Sequence, residues 1–321
     1  MFPEWRGALD GGIPPVAYKA GDKHERCPLH RLLCKPHESF HDRLAKPAAP
    51  SIVLAQVSRK SPKPPVCMIT GAATGIGASC ARRFARAGWA VAIGNFNDET
   101  RAAALATEAA CQDDGAPTLL FDADVGVDDD CRRAVDKVAA HWGCINVLIN
   151  CAGTTRFVPH ADLSAIDDLE FERIYRVNLI GMFQMTRAAA SLLRETATQE
   201  RTSSVINISS LAGLNGTGSS IAYAASKGAV NALTLSLARS LAPRIRVNAI
   251  APGMVDEGLL HHVLDAQSYK RIVAHLTEAS PLKRVSQPSE VAELAWFIAA
   301  QAPAITGQVI AMENGLLLTG S

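Results

Sequence analysis

Val66-Cys67-Met68-Ile69-Thr70-Gly71-Ala72-Ala73-Thr74-Gly75-Ile76-Gly77 is the stretch that decides how the chain is read. Its first five residues predict a short buried strand, and helical spacing runs from Gly75 to about Ala87. Small residues crowd the join. A backbone that turns tightly, approaches a pyrophosphate and packs helix on strand has no room for a Cβ at several positions. The N–H groups at the helix start then face an anion, helped by the helix dipole. Glycines alone would also suit a plain strand-to-helix turn, but here they follow the first strand of an alternating pattern. A P-loop is excluded, because no Lys-Ser/Thr pair follows the glycines.

Outward from this turn the alternation continues. Strands are predicted at Trp89 to Gly94, Thr118 to Phe121, Ile145 to Asn150, Ser204 to Ile208, Arg244 to Ile250 and Gln308 to Met312. Helices are predicted over 97–114, 127–142, 168–198, Ile221 to Leu241 and Val291 to Ala300, with irregular helical segments before the last. Such a pattern implies right-handed βαβ units: an α/β fold, one doubly wound Rossmann-type domain over 66–321, with a mostly parallel sheet of about seven strands. Only four Trp, four Tyr and nine Phe occur among abundant aliphatics, which suits a sheet buried on both faces.

Residues 1–65 differ. They carry eleven Lys/Arg against six Asp/Glu, while the remainder has twenty-one against twenty-five. Rich in Pro, His and basic residues, this segment is expected to be a mostly disordered extension. It holds Cys27-x2-His30-x3-Cys34-x2-His37, whose ligand types suit zinc but whose spacing and lack of apolar support favour incidental composition. The net charge of +1 argues against a nucleic-acid or polybasic membrane partner. No apolar run reaches the roughly 18 residues of a membrane span, and no secretory signal opens the chain. The eight cysteines read as free thiols of a reducing compartment, so the chain is expected to be cytoplasmic.

Tyr223 and Lys227 lie one turn apart on one helix face. A free phenol titrates too high for exchange near neutrality. A nearby ammonium favours the phenolate, and about 3–4 kcal/mol brings it into range. Taken alone, such a pair more often marks a solvated helix face. Thirteen residues earlier, Ser210 ends the preceding strand, where open parallel sheets bind ligands, and its hydroxyl can donate to a carbonyl oxygen.

With these motifs the chain resembles the short-chain dehydrogenase/reductase family, in its branch of about 250 residues, from about Val66 to Leu318. The likeness rests on Thr70-Gly-x3-Gly-Ile-Gly77, Asp124-Val125, Asn150-Cys-Ala-Gly153, Val177-Asn178, Asn207-Ile-Ser-Ser210, Tyr223-x3-Lys227, Arg246-Val-Asn248 and Pro252-Gly253. Within the family it looks most like 3-oxoacyl-acyl-carrier-protein reductases and sugar or alcohol dehydrogenases. The resemblance implies Tyr223 as acid/base, Lys227 as its modulator and ribose ligand, Ser210 as orienter of the reacting oxygen, and Asn178 as holder of a relay water. Gly71, Thr74, Gly75, Ile76 and Gly77 would cradle the pyrophosphate, with Asp124 and Val125 at the adenine and Asn150 and Gly153 on the adenosine side. Pro252, Gly253 and Val255 would meet the nicotinamide end.

Several positions depart from the family pattern: Cys151 replaces an Asn, Glu257 replaces a Thr, and Met312-Glu-Asn-Gly315 replaces Val-Asp-Gly-Gly. The cofactor is expected to be NADP(H) or NAD(H). Asn95 at the end of the second strand would not repel a 2′-phosphate, which tilts the expectation to NADP(H). The implied reaction moves a hydride between nicotinamide and a carbonyl or secondary alcohol, small or carrier-bound, with a 3-oxoacyl thioester as one candidate. The alternative is a catalytically silent nucleotide sensor or scaffold. The lid region 254–280 shows no anchor for a phosphate or carboxylate. The resemblance implies a homotetramer, with the helices near 168–198 and 221–241 as interface candidates.

Overall fold

The computed structural model describes residues 64–319. The extension expected over residues 1–65, and with it the Cys27–His37 pattern, falls outside the described residues up to residue 63. Seven parallel strands form the sheet: β1 (Val66–Thr70), β2 (Ala90–Asn95), β3 (Thr118–Asp122), β4 (Val147–Asn150), β5 (Ser203–Ile208), β6 (Ile245–Pro252) and β7 (Val309–Met312). Their spatial order is β3-β2-β1-β4-β5-β6-β7. The chain steps outward from β1 to β3, then returns to lay β4 on the other side of β1. That switch point opens a crevice at the strands' C-terminal ends.

Strand residues alternate between two cores. Val66, Met68, Ala90 and Ala92 point to one, and Cys67, Ile69, Val91 and Ile93 to the other. The second is built around α1 (Gly75–Arg86) and, near the C-terminus, α9 (Pro288–Trp296), where Phe84, Trp89 and Trp296 meet edge to face at 5.1–5.7 Å. The helices between them in chain order are α2 (Asp98–Asp113), α3 (Asp128–Trp142), α4 (Asp168–Tyr175), α5 (Met182–Thr196), α6 (Ala212–Asn215), α7 (Ile221–Leu241) and α8 (Ala266–Ala279).

The structure differs from the expected elements in three places, one of them the helix expected over Val291 to Ala300, which runs as α9 and then a π-helical turn, Phe297–Gln301. The helix over 168–198 is broken by a π-helical turn, Arg176–Gly181, where a Cβ on Gly181 would lie 2.7 Å from Val125. The segment before α9 is irregular in part, with a 3-10 turn at Leu259–His262, but most of its helix is regular. It contains the fourteen-residue α8, started by Asp265, whose carboxylate accepts from the Gln267 and Ser268 amides. Within Arg246-Val-Asn248, the buried guanidinium donates to the carbonyls of Ile298, Ala299 and Ile305, tying β6 to the chain end that enters β7.

The turn after β1 is closed by contact of backbone on backbone. A Cβ on Gly77 would lie 2.2 Å from the Gly71 carbonyl oxygen. Gly77→Ala is therefore expected to cost about 1–3 kcal/mol, read as a lower urea midpoint at unchanged m-value. An unshifted midpoint would show that the turn relaxes freely.

Candidate active site

The strand ends border a cavity of about 1110 Å³. Its floor is the β1–α1 turn. Gly71 holds φ +61°, and a Cβ there would stand 2.7 Å from Ala152 Cα. The Thr70 hydroxyl accepts from the Cys151 and Ala152 amides, both at 3.1 Å, and so locks the chain leaving β4 against the turn. Thr74 precedes α1 without capping it through its side chain, and the first turn has no acidic residue. The amides of Gly75 and Ile76 are thus left to an anion, while that of Gly77 is directed to the Cys151 sulfur. Gly71, Thr74, Gly75 and Ile76 line the cavity, while Gly77 packs behind it.

At one end lie Asn95, Asp124 and Val125. Asn95 is buried and turned away: its amide donates to Asn97 O at 2.9 Å and Asp122 Oδ1 at 2.8 Å, and its oxygen accepts from Thr100 at 2.7 Å. Asp122 also takes both its oxygens to Arg101. The Asn95 bond, then Arg101, holds the Asp122 carboxyl below its usual range, against a smaller opposing effect of burial.

At the other end, α7 starts on Ser220, whose hydroxyl accepts from the Tyr223 amide at 3.2 Å. That cap sets Tyr223 in the first turn and Lys227 one turn on, both facing the cavity. Lys227 Nζ lies 5.6 Å from the Tyr223 ring centroid and donates to Ile208 O at 2.8 Å. Ser210 lines the same end, and its hydroxyl works against the upward shift of the Tyr223 phenol. The expectation that Lys227 lowers the Tyr223 pKa is not met. Burial pushes the phenol above its ordinary value, opposed by the Ser210 hydroxyl, and the same burial brings Lys227 down to about 8. Desolvation penalises either charge, and at this separation it prevails. Cys151 lies beside them with its thiol raised to about 12 by burial, so the position contributes a small neutral group.

Gly153, Pro252, Gly253 and Val255 also line the cavity. Two asparagines do not. Asn150 points beneath the sheet, donating to Thr186 at 3.0 Å and Asn207 at 2.9 Å. Asn178, fully buried in the π-helical turn, binds both the amide and the carbonyl of Thr154 and donates to Ser226, whose hydroxyl donates to the Tyr223 carbonyl. Both of its amide hydrogens are taken, so any water must use its oxygen or backbone.

A family profile described as enoyl-(acyl carrier protein) reductase matches residues 71–317. The chain belongs to the short-chain dehydrogenase/reductase family. It is an NAD(P)-dependent oxidoreductase. A provisionally named ketoacyl reductase of the granaticin polyketide synthase, from Streptomyces violaceoruber, is 36% identical over 258 residues, covering 79% of this chain and 97% of its own. The crystal structure of a protein assigned to the same family from Burkholderia xenovorans is 67% identical with TM-score 0.75, covering 80% of this chain and 99% of that one. A 3-ketoacyl-(acyl-carrier-protein) reductase from Brucella melitensis, crystallised with NADH, is 29% identical with TM-score 0.69, over 79% and 98% of the two chains.

The site of this short-chain dehydrogenase/reductase includes a lid contact that pattern reading missed, made on the turn at Glu257. Glu257 holds φ +53°, and its carbonyl stands opposite Gly75, 3.4 Å from where a Cβ there would lie. The turn is pinned by the lid: the Tyr269 hydroxyl of α8 donates to Asp256 Oδ1 at 2.8 Å and accepts from the Glu257 amide at 2.9 Å. An acidic residue followed about a dozen positions later by a lone lid tyrosine was the available signal. Tyr269→Phe removes both lid hydrogen bonds and leaves the turn only the 3.1 Å bond from the Glu257 amide to Asp256 Oδ1, at about 1 kcal/mol. It is expected to weaken NAD(P)H binding several-fold in a fluorescence titration; unaltered binding would show that the pin does not shape the cofactor end.

Proposed function

We propose that this oxidoreductase interconverts a carbonyl compound and its secondary alcohol, with Tyr223 as the proton donor and acceptor. The observation that carries this is shared space: Tyr223, Ser210 and Lys227 open into the cavity that Gly71, Thr74, Gly75 and Ile76 line. The site fits a dinucleotide, because the glycine turn is a cradle that side chains would fill and no side chain caps the first amides of α1, those of Gly75 and Ile76. Gly71 to Ile76 would hold the pyrophosphate, Asp124 and Val125 the adenine, and Lys227 the nicotinamide ribose. Bound there, the nicotinamide supplies or accepts the hydride.

The chain's own residues handle the proton. Desolvation keeps the Tyr223 phenol protonated at neutral pH, ready to donate to a carbonyl oxygen. Ser210 would give a second hydrogen bond to that oxygen as charge grows on it. Asn178 positions α7 through Ser226 and carries the relay water on an atom other than its amide nitrogen. Asn150 acts from beneath, holding β4 to β5. The neutral Asn95 supports a preference for NADP(H), since no carboxylate ends β2 to repel a 2′-phosphate. The ketoacyl reductases among the relatives make a 3-oxoacyl thioester one natural substrate. A cytoplasmic homotetramer belongs to the same reading, with Leu169, Phe183 and Leu235 exposed on α4, α5 and α7. Among the described residues no helix is long and apolar enough to cross a membrane.

Tyr223→Phe is expected to lower kcat for carbonyl reduction about 10²–10⁴-fold while NAD(P)H still binds; undiminished turnover would refute the assigned acid/base. The pH profile follows from Lys227, whose ammonium persists below a pKa of about 8 and is lost above it. kcat/KM for the cofactor, which reports the free enzyme, is expected to fall as pH rises through that value. A profile flat through that value would contradict the role given to Lys227.

A further inference from the structure

Strand order divides the cavity. Asn95 ends β2 and Asp124 follows β3, while Ser210, Leu259 and Leu316 come after β5, β6 and β7, on the side of Tyr223. On that reacting side the lining is strongly aliphatic: Leu211, Leu259, Leu260, Ile272, Leu276 and Leu316. Helix α8, which brings Ile272 and Leu276, has no buried residue of its own, so its apolar face is only partly covered by the rest of the chain.

The charged groups that line the cavity are engaged or lie elsewhere. Arg173 is paired with Glu170 at 2.6 Å and donates to the Thr154 hydroxyl at 2.7 Å. Arg176 belongs to the adenine end, its stem 3.0 Å from where a Cβ on Gly126 would be. Lys227 donates to Ile208 O, and the Glu257 turn faces Gly75. His275 and the Glu257 carboxylate are the remaining titratable groups on this wall, and both residues are exposed. The hydroxyls of Thr154, Thr217 and Ser219 that also line the cavity already bond Arg173, Asn215 and Thr155, so a substrate carrying several hydroxyls or a carboxylate would bring most of them against methyl groups with little to replace water.

We propose that the natural substrate is a ketone, or the matching secondary alcohol, whose non-reacting flank is uncharged and apolar: an alkyl, acyl or aryl group, not a sugar, polyol or oxo acid. The proposal rests on the oxidoreductase reading of the same site and narrows its substrate class. Each methylene that enters such a wall adds about 0.8 kcal/mol, or about fourfold in kcat/KM.

The test is a kinetic series with the full chain and NADPH or NADH: methyl ketones from butanone to octan-2-one, with fructose as a hydroxylated ketone and 4-oxopentanoate as an anionic one. The expected result is kcat/KM climbing several-fold per methylene over the first additions, with fructose and 4-oxopentanoate far below the neutral ketone of similar length. Leu276→Lys, on the half-covered lid face, is expected to flatten the series and to raise 4-oxopentanoate relative to the ketones. A flat series in the unaltered protein, or a preference for fructose or 4-oxopentanoate that Tyr223→Phe abolishes, overturns the apolar flank and leaves the oxidoreductase reading standing. Cofactor binding without reduction of any ketone, sugar or oxo acid defeats that reading and this inference with it.

Discussion

The architecture of the site depends on how closely main chains approach where the strands end. Gly71 lets β1 touch the chain leaving β4 at Ala152, and Gly77 lets α1 settle onto Gly71. Side chains at either place would wedge the elements apart. With them absent, Thr70 can reach two amides of the β4 loop, and the crevice runs unbroken from Asn95 to Lys227. Packing and ligand space come from one steric fact.

The electrostatics of the reacting end also have a single origin. Burial moves Tyr223 up and Lys227 down, so both are pressed toward their neutral forms, and the neutral Cys151 thiol nearby adds no charge. This favours a protonated phenol over a phenolate, which suits proton donation to a carbonyl more than abstraction from an alcohol. The Lys227 side chain one turn away is anchored on the Ile208 carbonyl at 2.8 Å.

Much of this was legible in the residues, for physical reasons. A parallel sheet buried on both faces writes unbroken apolar runs, so each strand was found within about two residues, and Ser220 capping marks the start of α7 where periodicity begins. The glycine turn and the Tyr223–Lys227 spacing are local, and local geometry survives folding. What failed was non-local. Asn150 carries a motif position, but its direction is set by Thr186 and Asn207, far along the chain. The π-helical turn at Asn178 answers to the crowding of Gly181 on Val125. The sign of the Tyr223 shift needs its burial, which no spacing reports. Tyr269 meets Asp256 only because α8 folds back over the cavity.

The central claim is that the phenol of Tyr223 and the nicotinamide share one crevice. A crystal structure of the chain with NADPH or NADH tests it directly. The account predicts the pyrophosphate on Gly71 to Ile76 and the nicotinamide ring beside Tyr223, with its hydride-bearing face toward Ser210. A ring seated away from Tyr223, or a dinucleotide that bypasses the glycine turn, would contradict it.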